Sequence, residues 1–266
     1  GLMGGPRGLA GGLGLATLAA AAAGLRAPGA GGGRDPFEDA ELEAGLRRRR
    51  AAEAGAREVL RELAGSPEGE RRAALPALER VLFEGASGAE RRRYLAKYGC
   101  CAWTEEGLRE AAALGPLLEV GAGAGRWADA LAEGHGADVL AFDLCAPPGC
   151  VPPGGEAGVS PRVKLGDGVA EAARHPERAL LLVYPTAALA ERSLAAYGGE
   201  TVVYVGEGRG GTNGSPAFFD RLLRDFAPTG PALRLAPFPG GYEKMWVLRR
   251  REAPRDSAPA SDTRKA

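Results

Sequence analysis

Leu117-Leu118-Glu119-Val120-Gly121-Ala122-Gly123-Ala124-Gly125 concentrates the residue types that could do chemistry. An apolar run carries one acid, then breaks into three alternating glycines. Glycine lets a backbone approach a bound molecule with no Cβ in the way, and it tolerates a tight turn from strand to helix. Two further acids follow at the ends of apolar runs. Asp143 closes Val139-Leu140-Ala141-Phe142-Asp143, and Asp167 follows Val163-Lys164-Leu165-Gly166. The pattern therefore predicts a nucleoside ligand at the carboxyl edge of a parallel sheet.

The elements that must position these residues read as follows. Strands are predicted near 116–121, 138–143, 162–165, 179–184, 200–206, 231–236 and 243–249. Helices are predicted near 104–114, 125–133, 168–174, 187–197 and 215–226, with Thr104 and Ser215 as N-caps. Strand and helix alternating at this spacing imply a doubly wound sheet with right-handed crossovers. The last two strands lie too close for a helix between them, so Pro237 to Tyr242 is predicted to turn a hairpin. The expected fold is α/β, a Rossmann-like doubly wound sheet of about seven strands. It is mostly parallel with a C-terminal antiparallel hairpin, and an N-terminal helical extension precedes it.

The domain boundaries expected are a low-complexity leader at 1–34, a helical extension at 35–97, the α/β domain at 98–250 and a disordered tail at 251–266. The leader carries Arg7, Arg26 and Arg34 but no acid, as organelle-targeting segments do. Localisation is then cytoplasmic, or organellar if that segment is a transit signal. The extension starts at Asp35-Pro36, with Pro suited to a first helical position. Apolar positions Leu46, Val59, Leu60 and Leu63 are sparse along its first helix. In its second, over 67–83, Leu75, Leu78, Val81 and Leu82 recur near helical spacing. The run Arg47 to Arg50 falls in a stretch, 34–95, with 13 acids and 13 bases. That balance predicts a solvated, salt-bridged face.

The 266 residues include 52 Ala and 42 Gly, and only 4 of the 34 Lys+Arg are Lys. Such a bias follows from GC-rich coding, so arginine abundance says little about partners. With a net charge of +0 there is no basic field for nucleic acid or an anionic membrane. The Gly8–Leu25 stretch is too rich in Gly and Ala to predict stable membrane insertion. Cys100, Cys101, Cys145 and Cys150 form no disulfide framework and match zinc spacing poorly, so no metal is expected. His135 and His175 sit at predicted helix ends, away from the glycine turn.

Glu-x-Gly-x-Gly-x-Gly after the first strand, in a parallel sheet closed by an antiparallel hairpin, resembles the class I S-adenosylmethionine-dependent methyltransferases. A narrower likeness covers roughly 94–249. It rests on the aromatic lead-in Tyr98 to Trp103, Trp127-Ala128 after the glycines, Leu182-Val183-Tyr184-Pro185, Tyr204-Val205-Gly206-Glu207-Gly208-Arg209-Gly210-Gly211 and Phe218-Phe219-Asp220. The subgroup is poorly characterised. The resemblance implies S-adenosyl-L-methionine as cofactor, held by Glu119, Gly121, Gly123 and Gly125 with Asp143 on the ribose and Asp167 toward the adenine. It implies substrate-facing residues after strand four, where Tyr184 stands, and makes Glu207 the nearest remaining carboxylate to the methyl group. The methyl acceptor would be a small molecule or a protein.

Two alternatives stand beside it. Gly123-Ala124-Gly125-Arg126-Trp127-Ala128 fits a nicotinamide fingerprint, with Asp143 placed 20 residues after Gly123. Against it, Glu119 would repel a pyrophosphate, and bulky Trp127 sits in the helix turn that would pack near one. The other alternative is an inactive binding or scaffold protein. Tyr184-Pro185-Thr186 lacks the Asn or Asp that begins the amine-methylating motif, and Thr186 replaces a second proline. Arg209 could clamp an anionic substrate or lie on the surface.

Overall fold

The computed structural model describes residues 35–144 and 158–252. The leader, Cys145, Cys150 and most of the C-terminal tail lie outside the described residues. Eight strands form one sheet: β1 (Leu117–Val120), β2 (Val139–Asp143), β3 (Val163–Leu165), β4 (Ala179–Val183), β5 (Thr201–Gly206), β6 (Phe226–Pro228), β7 (Leu233–Arg234) and β8 (Lys244–Arg250). Their order is β3-β2-β1-β4-β5-β8-β6, with β7 also on β8. The first five run parallel, and β8 is antiparallel to β5, β6 and β7. This is the doubly wound α/β sheet that the strand–helix alternation predicts.

Its C-terminal edge differs in detail. The predicted hairpin is present, but β7 contributes only two residues. Pairing with β8 extends at Phe226–Pro228, a stretch that reads as the end of a helix and a proline breaker. Nothing local marks it as a strand; Phe226 joins the sheet because Arg250 offers a ladder partner.

Among the described residues there are eight α-helices: α1 (Ala40–Glu62), α2 (Glu68–Leu82), α3 (Gly88–Tyr98), α4 (Glu105–Ala112), α5 (Arg126–His135), α6 (Gly168–Arg174), α7 (Ala187–Ala196) and α8 (Pro216–Asp225). Both faces of the sheet are covered, which is why β4 and β5 read as continuous apolar runs. Leu118, Val120, Leu180, Leu182, Val202 and Tyr204 point to the face packed by α6, α7 and α8. Their alternates, Leu117, Leu181, Val203 and Val205, pack with Leu108 of α4 and with Trp127 and Leu131 of α5.

Capping fixes the helix starts. Thr104 Oγ1 accepts the Gly107 N–H at 3.2 Å and Ser215 Oγ accepts that of Phe218 at 3.0 Å. α1 begins later than Asp35-Pro36 suggests. Asp35 Oδ1 instead takes the Phe37 N–H at 2.9 Å in a turn, and Asp39 caps the helix through the Glu41 N–H. The third lead-in helix, α3, starts at a Ser87–Glu90 capping box.

The start of the helical extension is built into the core. Phe37 is fully buried between Tyr204, Phe219 and Trp246, with ring centroids 4.9–6.4 Å apart. Gly208 makes this possible, because a Cβ there would lie 2.3 Å from the Phe37 carbonyl oxygen. The Phe37 carbonyl then accepts the Arg209 N–H at 2.8 Å. Farther along, helical spacing marks α2 but not its depth: Leu78 is buried, while Leu75, Val81 and Leu82 are exposed.

Candidate functional site at the carboxyl edge of the sheet

The glycine turn sits where β1 ends and α5 begins. Gly125 is the N-cap of α5 at φ +77, a conformation that resists any side chain. A Cβ there would also meet Val163 at 2.6 Å and Ser160 at 2.8 Å. Gly121 and Gly123 share positive φ, so the backbone bends twice within five residues. The turn is tied to the next strand: Gly121 and Ala122 N–H groups donate to the Phe142 carbonyl at 2.9 and 3.0 Å, and Asp143 Oδ2 accepts the Gly123 N–H at 2.8 Å.

Glu119 lies beneath this turn with 2% of its surface exposed. Burial pushes its carboxyl up to about 8, opposed by the Ala128 N–H and reinforced by the charges of Asp129 and Asp143. Its Oε2 has no hydrogen-bond partner among the described residues. A buried oxygen without a donor is costly in a folded protein. Asp167 lies at the same edge, where the Gly166 N–H before it donates to Asp143 O at 3.0 Å. It caps α6 through the Val169 N–H at 3.0 Å and is exposed beside β3.

Tyr184 and Glu207 follow the ends of β4 and β5, which are neighbours in the sheet. Tyr184 adopts φ +47, a strained conformation for an aromatic residue, and its N–H donates to Val205 O at 2.8 Å. Burial and the charges of Glu207 and Glu243 push its hydroxyl up to about 12, so it stays protonated. Glu207 is fully buried and fully engaged. Arg49 Nη2 donates to its Oε1 at 2.6 Å, while the Thr212 N–H and Oγ1–H donate to Oε2 at 3.0 and 3.1 Å. Asn213 stitches the two loops together, accepting the Glu207 N–H at 3.0 Å and donating to Pro185 O at 3.1 Å.

Three sequence readings are corrected by these contacts. The arginine run is not simply a solvated face: Arg49 reaches Glu207 and the Gly240 carbonyl, and Arg48 donates to the Tyr242 hydroxyl at 2.6 Å. Arg209 is neither a free clamp nor a bare surface charge, since Asp35 and Asp220 hold it at 2.8 and 2.9 Å. Trp127 does not crowd the glycine turn. It is buried in the face lined by α4 and α5, its Nε1–H donates to Cys101 O at 2.8 Å, and it packs edge-on against Trp103.

The aromatic lead-in packs as a chain of rings running Phe238, Tyr94, Tyr98, Trp103, Trp127, edge-on except for the tilted Tyr94–Tyr98 pair. His135 faces Glu105, and His175 lies between Glu171 and Glu177. Among the described residues no group of three or more side chains is arranged to hold a metal ion, and no helix is long and apolar enough to cross a membrane. One residue that the sequence reading passed over also belongs here. Glu243, just before β8, is 7% exposed, and its only cue was an acid beside Gly240-Gly241.

No protein-family model matches the chain, and no curated protein matches it. Several solved structures are similar to it. Burkholderia thailandensis 1,6-didemethyltoxoflavin-N1-methyltransferase, with 1,6-didemethyltoxoflavin and S-adenosylhomocysteine bound, is 20% identical over 70% of this chain and 92% of that chain, with a TM-score of 0.37. Magnesium protoporphyrin IX methyltransferase from Synechocystis PCC 6803, with S-adenosylmethionine bound, is 13% identical over 74% and 97%, with a TM-score of 0.38. The neocarzinostatin-biosynthesis O-methyltransferase NcsB1 is 15% identical over 79% and 69%, with a TM-score of 0.37. At these identities and scores, neither the acceptors nor the residue roles of those proteins pass to this chain, whose own sheet order carries the fold assignment.

Proposed function

We propose that the chain is an S-adenosylmethionine-dependent methyltransferase acting on a small-molecule or protein acceptor. The single observation that carries the reading is the buried, partner-free Oε2 of Glu119 under a glycine turn that Asp143 already touches. A ligand cation would draw the buried Glu119 carboxyl, raised to about 8, into its charged form, whereas a pyrophosphate would hold it protonated. The Trp127 objection to a nicotinamide cofactor falls away with its burial, and the Glu119 objection weakens to a preference for a cationic ligand, because burial keeps that carboxyl mostly uncharged at neutral pH. Thr186 gives no support to loss of activity, because its Oγ1 accepts the Leu189 N–H at 3.3 Å and so caps α7.

Bound S-adenosylmethionine would supply a methyl group already activated by a sulfonium. The chain's task is then to align an acceptor and exclude water. Glu119 and the backbone of Gly121, Gly123 and Gly125 would hold the amino-acid part, and Asp143 the ribose. Asp167 would reach the adenine from its exposed position. Tyr184 would present a hydroxyl donor to the acceptor. Glu207 would fix the loop after β5 instead of taking a proton, since Arg49 and Thr212 occupy both of its oxygens.

Calorimetric titration of the full chain with S-adenosylhomocysteine and with NADH tests the reading. Binding of the first and not the second is expected. Binding of NADH alone would replace the methyltransferase assignment with an oxidoreductase one.

A further inference from the structure

Three positions stand side by side at the carboxyl edge of the sheet. Tyr184 follows β4, Glu207 follows β5, and Glu243 precedes β8, whose Lys244 is registered against Gly206. Adjacent strands lie about 4.8 Å apart, so the three residues span roughly 10 Å. Along β8 side chains alternate, which puts Glu243 on the same face as Met245 and Val247, the face of α4 and α5. The glycine turn enters α5 on that face.

Glu243 differs from its neighbour Glu207 in one respect. Glu207 is paired and fully hydrogen-bonded, whereas Glu243 Oε2 is buried without a hydrogen-bond partner among the described residues. The nearest cation on α3, Arg91, lies over the rings of Tyr94 and Phe238 at 5.4 and 4.9 Å. Arg49 is committed to Glu207. The Glu243 carboxyl is hydrogen-bonded to its own backbone N–H, and a buried Oε2 left without a donor beside two engaged arginines adds nothing to stability. Its place next to Tyr184 gives it a use.

We propose that Glu243 is the proton acceptor of the methyl-transfer site, and that the acceptor is therefore an amine or a hydroxyl compound that loses a proton on methylation. This rests on the S-adenosylmethionine reading above. As the acceptor's N or O atom bonds to the methyl carbon, the carbon–sulfur bond breaks and its electron pair stays on sulfur. The proton leaving the acceptor's N–H or O–H passes to Glu243 and then to solvent. Burial and the nearby Glu207 carboxylate push the Glu243 carboxyl up to about 7, against its own backbone N–H and the pull of Arg91 and Arg49, which suits a group that takes and releases a proton near neutrality.

The test needs no knowledge of the acceptor. In sinefungin an amine-bearing carbon replaces the methylated sulfur, so its ammonium projects where the methyl group would be. Sinefungin and S-adenosylhomocysteine are titrated calorimetrically into the full chain and into Glu243→Gln at about pH 8. The expected result is a loss of about tenfold or more in sinefungin affinity with S-adenosylhomocysteine binding unchanged, as befits a charged hydrogen bond. Unchanged sinefungin affinity overturns the proposal, and so does an equal loss for both ligands at an unaltered melting temperature. If Glu243→Gln does not fold, Glu243→Asp is read by the same comparison, its carboxylate drawn back by one methylene. Failure of the unsubstituted protein to bind either ligand would fell the cofactor reading and this proposal together. S-adenosylhomocysteine binding with no Glu243 effect would fell this proposal alone.

Discussion

Arg49 and Glu207 lie 158 residues apart in the chain and meet at 2.6 Å, the guanidinium from α1 closing over a carboxylate with no solvent exposure. The contact joins the helical extension to the loop after β5. Because Glu207 is buried, removing its partner leaves an uncompensated charge, which costs about 3–5 kcal/mol. Arg49→Ala is expected to show a loss of that order in urea unfolding. Adding Glu207→Gln to Arg49→Ala should recover much of it, since the stranded charge goes too. If Arg49→Ala unfolds at the unsubstituted midpoint, the ion pair is not maintained in solution.

Phe37 gives a second measure of how firmly that extension belongs to the core. Its ring touches Tyr204, Phe219 and Trp246 and has no exposed surface. Phe37→Ala is expected to cost about 3–5 kcal/mol, the range for deleting a buried aromatic ring. A loss of stability under about 1 kcal/mol, far below that range, would mean that the segment around Phe37 detaches without disturbing the sheet.

What could be read from the sequence was local. The five parallel strands, the glycine turn and the caps at Thr104 and Ser215 each depend on residues within a few positions of one another. Asn213, Arg49, Phe37 and Glu243 act through partners far along the chain or through burial, and composition gives no sign of either. Averaging charge over 34–95 concealed that Arg48 and Arg49 lie on the side of α1 that meets Tyr242, Glu207 and Gly240. The strand at Phe226–Pro228 was hidden for the same reason, since only its pairing with β8 makes it one. In Trp127 size was legible but direction was not. The capping box at Ser87 and Glu90 was the one missed feature with a plain local signal.

Two buried acids set the pH dependence of stability. The Glu119 carboxyl is raised to about 8 and that of Glu243 to about 7, both from 4.5. Between the unfolded and folded values the native state binds more protons than the unfolded chain. Stability is then greatest at the acid end of that window and falls as pH rises through it. The lowered carboxylates, Asp39, Glu90, Glu177 and Asp225, finish titrating below the window, so they do not mask the effect. The melting temperature is expected to decline from about pH 6 to about pH 9, and to decline less in Glu119→Gln and in Glu243→Gln. A flat profile in the unsubstituted protein would mean that neither acid is desolvated.

Asp143 is the most direct probe of the ligand site, because it already bonds the glycine turn through the Gly123 N–H. In the proposed reading its carboxylate would accept from a ribose diol at the end of β2, beside the turn that would hold the rest of the ligand. Hydrogen bonds to a charged group contribute about 1.5–3 kcal/mol, so Asp143→Ala should weaken S-adenosylhomocysteine binding by roughly 10- to 100-fold. Asp143→Asn keeps one acceptor oxygen and should lose less. Asp167→Asn serves as contrast: Asn can still cap α6, so helix stability is preserved while the charge proposed to face the adenine is lost. A smaller drop is expected there, in keeping with the exposure of Asp167. Calorimetric affinities for the three variants, alongside their melting temperatures, separate loss of ligand contacts from loss of fold. Unchanged affinity in Asp143→Ala would remove the residue from the ribose site and leave Glu119 and the glycine turn to carry the cofactor reading.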